Sequence, residues 1–573
     1  MAIPGLYRIL HRSQGGDAIR TYRCSDDRHG NVLASSLVRV PSSPTGYVDT
    51  FAADHLPDPS AQAELLWDHP SLQYPDRLNC GAELLDVMVA SGHSASRCLR
   101  DATGREWTYS EMLAWSNRIA NVLVDEHGVV PGNRVLLRGP NNPWLVACWL
   151  AVQKAGLVAV ATMPMLRAGE LRAVIDKADV HLALCDARLL DELVAADDGL
   201  KIVSYGDESP LGAAISTASD SFTNCDTAAS DVSLIAFTSG TTGQPKGCVH
   251  LHRDVLAIAD TFSKHVVQPG PDDLFAGSPP IALTFGLGAL LVFPMRVGAC
   301  TLLLEAATPP LLLAAIEQHR VTIVATAPTA YRAMLDGIAD HDISSWRAGI
   351  SAGEPLPLAT RKAFEAASGI KLIDGLGATE MLHVFISAAG DDIRDGAIGK
   401  AIPGFSATIL DANGNELPAG EIGRVAVKGP TCCRYLSDIR QANYVQNGWN
   451  IPGDSMWRDE DGYFWYVARA DDMIISSGYN IAGPEVEGAL LTHSGVAECA
   501  CIGVPDDERG MVVTAFVVAK DPAMATAAFA KELQDHVKQT IAPFKYPRRI
   551  EFRSELPKTA TGKLQRYRLR AEQ

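Results

Sequence analysis

The sequence predicts an α/β protein. It has a large multi-lobed N-terminal domain on parallel-type sheets, with a β-rich lobe, and a small α+β C-terminal domain. Three observations predict this. Helix-like and strand-like patterns alternate from Ala82 onward, which implies βα units and sheets covered by helices. Glycines at 396, 399, 404, 414, 420 and 423 punctuate short strands beyond Asp391, which marks a β-rich lobe with tight turns. A compact α+β pattern then follows Asp472. At 573 residues the chain is too long for one hydrophobic core.

Taken in order, residues 1–46 are rich in Arg, Ser and Asp with weak periodicity. They are expected to form a flexible N-terminal extension, or to reflect a chain start placed too far upstream. The large domain is expected over 47–470. Within it, Tyr109 to Glu126 is an amphipathic helix with Ser110 as its N-cap. A strand at Arg134 to Arg138, a helix from Pro143 to Ala155 and a strand at Val158 to Ala161 come next. Ala168 to Ala178 is helical and His181 to Cys185 is again a strand. Similar alternation runs from Thr301 to Ile373. The β-rich lobe is placed at about 391–470, with strands such as Ser406 to Leu410 and Gly423 to Val427. The small domain, 472–573, reads as helix Pro484 to Leu491, strands Glu498 to Val504 and Val512 to Ala519, helix Met524 to Thr540 and strand Arg549 to Phe552.

Composition excludes several classes. Hydrophobic residues make up 47% and charged residues 20%, the balance of an ordinary globular chain. The formal charge of −17 disfavours nucleic acid, whose phosphates are met by Lys and Arg. No apolar run approaches the roughly 20 residues that span a bilayer. Met1 to Arg20 has no apolar h-region, so no secretory signal is expected. Twelve scattered cysteines lack zinc-like spacing and read as reduced thiols. A cytoplasmic protein follows, monomer or homodimer, without nucleic-acid or membrane partners.

The chemistry starts at the run FTSGTTGQPKG, Phe237 to Gly247, which follows the apolar strand Val232 to Phe237. Glycines let backbone N–H groups approach phosphate oxygens, hydroxyls add donors, and Lys246 adds charge. A Walker A loop is excluded, because Pro245 and Gly247 stand where it needs Gly and Ser/Thr. The candidate phosphate ligands are Thr238, Ser239, Gly240, Thr241, Thr242, Gly243 and Lys246.

This run resembles the signature loop of the adenylate-forming superfamily, which includes acyl- and aryl-CoA ligases, peptide-synthetase adenylation domains and luciferases. The resemblance extends from about residue 47 to 570. Gly375 to Glu380 resembles its adenine-and-metal segment. There the resemblance implies that Asp374 and Gly375 border adenine, Thr379 contacts the α-phosphate and Glu380 helps hold Mg²⁺. Leu376 stands where many relatives have Tyr, so stacking on adenine there would be aliphatic. Gly353, Glu354 and Pro355 fall in the segment that lines the adenine pocket. Asp454 resembles the ribose-binding aspartate, Arg469 the arginine beside it, and Asp471 the hinge residue. Pro557 to Lys563 resembles the catalytic-lysine loop, with Lys563 rather than Lys558 as the lysine. Ser477, Gly478 and Tyr479 resemble the wall of the thiol tunnel. The implied reaction uses ATP, Mg²⁺ and coenzyme A: a carboxylate attacks the α-phosphate, then a thiol displaces AMP.

The implied acid is aromatic. Thr379 to His383 and Leu283 to Gly288 resemble the pocket segments of benzoate-CoA and 2-aminobenzoate-CoA ligases. They bring Phe285, His383 and the backbone at Gly349, Ala352 and Gly377 into the substrate pocket. The entry segment Tyr47 to Pro57 most resembles 2-aminobenzoate-CoA ligases. The order of expectation is therefore 2-aminobenzoate, salicylate, benzoate. Two further readings stay open: a stand-alone adenylation enzyme loading a carrier protein, and a light-emitting oxidase on the same scaffold. The cluster Lys545 to Arg549 reads either as charge for coenzyme A phosphates or as a solvated basic turn. A non-catalytic nucleotide-binding scaffold is disfavoured by the presence of Lys246, Glu380, Asp454 and Lys563 together.

Overall fold

The computed structural model describes residues 44–238, 245–469, 473–476, 479–506, 510–541, 543–558 and 564–573. The extension expected over 1–46 lies almost wholly outside them.

Two large sheets form the N-terminal domain. In the first, the strand order is Lys201–Tyr205, Leu182–Asp186, Arg134–Arg138, Val158–Thr162, Val232–Thr238, Lys246–Leu251. All pairings are parallel except the last, which is antiparallel. The second sheet has nine strands. Six central ones run parallel: Arg97–Asp101, Cys300–Leu303, Leu274–Gly277, Ile323–Thr326, Ala348–Ala352 and Ile373–Gly377. Antiparallel strands close its edges, among them Val384–Ser387 beside Ile373–Gly377. The parallel strands Arg134–Arg138, Leu182–Asp186 and Ala348–Ala352 are buried on both faces, as in a helix-covered sheet.

A third, antiparallel sheet of six strands includes Ser406–Leu410, Gly423–Lys428, Asp454–Arg458 and Phe464–Arg469. The smaller C-terminal domain packs helices Gly483–Leu491 and Ala527–Thr540 with the strands Val496–Asp506, Gly510–Ala519 and Arg549–Phe552. Among the described residues, no helix is long and apolar enough to cross a membrane, and eleven cysteines are unbridged.

One local expectation changes. The helix Tyr109–Asn121 is capped by Thr108, not Ser110. Glu111 sits three residues after Thr108 and its Oε2 accepts the Thr108 N–H at 2.7 Å, while Thr108 Oγ1 accepts the Glu111 N–H at 3.2 Å. This reciprocal box satisfies two orphan donors, which Ser110 inside the first turn does not.

Candidate active site

The phosphate-loop candidate opens where the antiparallel strands Val232–Thr238 and Lys246–Leu251 end. Thr238 pairs directly with Lys246, so the two face each other across the neck. Thr238 Oγ1 is buried and has no hydrogen-bond partner among the described residues. A buried hydroxyl without a partner costs free energy unless a ligand supplies one. Ser239, Gly240, Thr241, Thr242 and Gly243 lie outside the described residues.

Lys246 points into a buried polar cluster. Its Nζ donates to the Tyr435 hydroxyl at 2.7 Å and stands 3.5 Å from Glu380 Oε1. The Tyr435 hydroxyl in turn donates to Glu380 Oε1 at 2.5 Å. Tyr435 is 1% exposed and Glu380 8%. Burial, with the Glu380 charge beside it, pushes the Tyr435 phenol far above its ordinary pKa, so it remains a donor. Both the Lys246 and the Tyr435 contacts fall on the Oε1 oxygen of Glu380. No cluster of three or more His, Cys, Asp or Glu suited to a metal occurs among them. One carboxylate without a protein cage suits a hard cation that arrives on nucleotide phosphates, because Mg²⁺ keeps most of its ligands as phosphate and water.

Glu380 rides on the turn Thr379–Met381, which joins the strands Ile373–Gly377 and Val384–Ser387. Side chains hold this turn on both flanks. His250 Nε2 lies 2.8 Å from the Thr379 carbonyl, and Thr431 Oγ1 donates to the Met381 carbonyl at 2.8 Å. Burial pushes the His250 pKa down to about 4, against the pull of Asp254. The ring is therefore neutral near pH 7. A carbonyl only accepts, which puts the ring proton on Nε2. The next residue, Leu382, has φ +65°, a backbone region that costs a non-glycine residue about 1 kcal/mol or more.

On the adenine side, Gly353 follows the strand Ala348–Ala352 with φ +95°, which glycine tolerates. Pro355 follows Glu354, whose carboxylate accepts the Thr329 backbone N–H at 2.9 Å. Asp374 is buried, and burial pushes its carboxyl up to about 6 despite Arg361 at 3.6 Å. In the β-rich lobe, Asp454 and Arg469 stand directly opposite each other on paired strands. Arg469 Nη1 lies 3.2 and 3.3 Å from the two Asp454 carboxylate oxygens. Leu376 is half-buried at the far end of the same strand as Asp374 and Gly375.

The acid-pocket candidates meet around His383. Its ring centroid is 4.7 Å from that of Phe293, 5.4 Å from Phe262 and 5.8 Å from Phe285. His383 is 4% exposed, and neither ring nitrogen has a hydrogen-bond partner among the described residues. Burial pushes its pKa down to about 3, opposed only by the Phe285 backbone nearby. Gly288 makes room for this ring: a Cβ there would lie 2.4 Å from His383 Cδ2. Gly377 likewise leaves space for the His383 carbonyl, 2.8 Å from where its Cβ would stand. Gly349 is not brought to this group by its open side. That side faces Leu372 and the Tyr331 hydroxyl, whereas Ala352 lies three residues on, with its side chain on the other face of the strand.

Tyr435, His250, Thr431, Phe262 and Phe293 belong to these groups without having been singled out in the sequence, and Gly288 was named only as the end of the pocket segment from Leu283. Lys563, Asp471, Ser477 and Gly478 lie outside the described residues, as does the side chain of Tyr479. Lys558 is engaged elsewhere, with its Nζ 2.8 Å from Glu498 Oε1. Lys545 is held by both oxygens of Glu485 at 2.5 and 2.7 Å.

Comparison with known proteins matches residues 88–435 to the AMP-binding enzyme family and residues 485–563 to the AMP-binding enzyme C-terminal domain. A benzoate–CoA ligase of Thauera aromatica is 31% identical over 88% of this chain and 97% of its own length. A mitochondrial acyl-coenzyme A synthetase of Rattus norvegicus is 31% identical over 88% of this chain and 92% of its own. The crystal structure of the anthranilate CoA ligase AuaEII with anthranoyl-AMP superposes with a TM-score of 0.83 at 31% identity, covering 88% of this chain and 98% of that one.

Proposed function

Because the chain belongs to the AMP-binding enzymes of the adenylate-forming superfamily and groups with their AMP-forming acid–thiol ligases, we propose that it is an aryl-CoA ligase acting on an ortho-substituted benzoate, 2-aminobenzoate first. One observation carries the choice of acid. A neutral histidine whose ring nitrogens make no hydrogen bond of good geometry, with the Phe285 backbone beside them, stands among three phenylalanines. Flat apolar walls suit an aryl ring, and the neutral imidazole's single N–H suits a carboxylate oxygen while its other nitrogen suits an ortho amino N–H. The similarity to a benzoate–CoA ligase and an anthranilate CoA ligase supports the same reading.

In this reading Thr238, Lys246 and the loop between them meet the ATP phosphates, and Glu380 holds Mg²⁺. The metal, when bound, supplies positive charge that lowers the repulsion between phosphate and incoming carboxylate. Thr379 touches the α-phosphate. Gly353 to Pro355, Asp374 and Gly375 border adenine, and Asp454, with Arg469 beside it, takes the ribose hydroxyls, since a carboxylate accepts from two donors. Lys563 stabilises charge as the acid oxygen attacks the α-phosphorus and pyrophosphate leaves. Coenzyme A then attacks the acyl carbon through its thiol and AMP departs. Asp471 is the hinge between the two half-reactions, and Ser477, Gly478 and Tyr479 border the thiol path.

The test is thioester formation from ATP across 2-aminobenzoate, salicylate, benzoate, octanoate and palmitate, with coenzyme A or a phosphopantetheinylated carrier protein as acceptor. The benzoates should dominate by kcat/KM, with coenzyme A as acceptor. Preference for octanoate or palmitate would overturn the aryl assignment. Transfer only to the carrier protein would replace the acceptor.

A further inference from the structure

We propose that Tyr435 is a positioning residue for adenylation: its hydroxyl stands between Lys246 and Glu380, keeping the ammonium for phosphate and the carboxylate for the cation. The inference rests on the reading of Lys246 and Glu380 given above.

Its placement comes from backbone register. Residues 434–436 run along the strand Lys246–Leu251: the Val249 N–H donates to the Arg434 carbonyl and the Leu436 N–H to the Gly247 carbonyl, both at 2.8 Å. Cys248 and Tyr435 are antiparallel bridge partners. The Tyr435 N–H is held by Gln441 Oε1 at 2.9 Å, and its ring packs edge-on against Tyr444 at 5.9 Å. Lys246 Nζ also lies 4.6 Å from the centre of that ring. The phenol is thus locked to the strand that bears Lys246, while its hydroxyl reaches across to the turn that bears Glu380.

The spacing explains why a hydroxyl is useful there. Lys246 Nζ and Glu380 Oε1 are 3.5 Å apart, a loose pair, and the phenol oxygen bridges them at 2.7 and 2.5 Å. Their side chains are only 22% and 10% exposed, so water screens them weakly and a direct contact would be strong. Without the hydroxyl the ammonium can close on the carboxylate. That contact must be broken before phosphate and cation enter. With the hydroxyl, Glu380 keeps one oxygen oriented and the other open.

Tyr435→Phe removes the hydroxyl and keeps the ring. The readout is Mn²⁺ binding to the protein saturated with a non-hydrolysable α,β-methylene ATP analogue, followed by electron paramagnetic resonance, with Glu380→Gln alongside. Partners that orient a metal ligand are worth about 10- to 100-fold in metal affinity, so Tyr435→Phe should weaken Mn²⁺ binding about tenfold or more. The KM for ATP should rise while the KM for the acid and thioester formation from supplied acyl-adenylate stay within about twofold of wild type. Should Tyr435→Phe fail to fold, Gln441→Ala, which frees the Tyr435 backbone and leaves the hydroxyl, should shift the same isotherm by about two- to threefold. Wild-type Mn²⁺ binding in Tyr435→Phe beside a clear loss in Glu380→Gln would overturn the inference and leave Glu380 in its role. Wild-type binding in both variants would remove the reading of Glu380 and the inference with it.

Discussion

Glu380 and His383 are three residues apart in the connection between the strands Ile373–Gly377 and Val384–Ser387, yet they stand in opposite surroundings. Glu380 is held by a phenol and faces an ammonium. His383 sits among phenylalanines with no hydrogen-bond partner for either nitrogen among the described residues. Leu382, between them, takes a positive φ that turns the chain from one environment to the other. On the proposed function, the difference separates two tasks. A site for phosphate and cation is common to every acid the superfamily activates, so its charges can be fixed in advance. A site for a particular acid leaves its polar atoms idle until that acid arrives.

The contrast breaks most clearly at its polar end. Glu380→Gln and Lys246→Ala should each lower acid-dependent pyrophosphate exchange by about 10²–10³-fold, the usual size for losing one electrostatic contributor. The ratio of rates between 2-aminobenzoate and benzoate should not move. A changed ratio would mean that the two environments are not separate. Lys563→Ala should lower the same exchange comparably and spare thioester formation from supplied acyl-adenylate; equal loss in both halves would contradict the assigned division of labour.

The apolar end sharpens the contrast in the reverse sense. His383→Leu should change the preference between 2-aminobenzoate and benzoate by about 10-fold, because a buried polar contact discriminates where apolar walls do not. Gly288→Ala puts a methyl 2.4 Å from the His383 ring, and should lower activity with all benzoates and cost about 1–3 kcal/mol of stability by overpacking. Both are read from kcat/KM across the acid panel and from thermal unfolding.

The smallest effects are in pH. His383, held down to about 3, and His250, at about 4, are neutral throughout pH 5–8. Neither should put a step in the activity profile there, and a step near 6.5 abolished by His383→Asn would contradict the buried, neutral ring. Asp374 behaves oppositely. Its folded pKa, about 6, lies above the ordinary value of 3.8. It therefore favours the folded state fully below about pH 4 and loses that advantage as pH rises through 6. Asp374→Asn should gain on the wild type over that window by up to about 3 kcal/mol. A stability difference that stays flat from pH 4 to 7 would show that burial does not govern this carboxyl.

Much of this was legible in the chain. The strand Arg134–Arg138 and the helix Ala168–Ala178 have the bounds their patterns imply, because apolar periodicity and flanking turn residues are local signals. Lys246 and Glu380 were legible as motif residues. Tyr435 was not: it lies 55 residues from Glu380 and 189 from Lys246, in a stretch without periodicity or motif. Phe262 and Phe293 belong to no motif, and only packing shows that they wall in His383. The order of strands in each sheet is set by crossovers between distant segments, which periodicity does not encode.

The central claim is activation of an aromatic acid through its adenylate. The most direct measurement is a single turnover with excess enzyme, 2-aminobenzoate and ATP labelled at the α-phosphate. Without coenzyme A, one pyrophosphate per ATP and an enzyme-bound aryl-adenylate are expected, which coenzyme A then converts into aryl-CoA and AMP. Label appearing as ADP, or no adenylate with any benzoate, would contradict it.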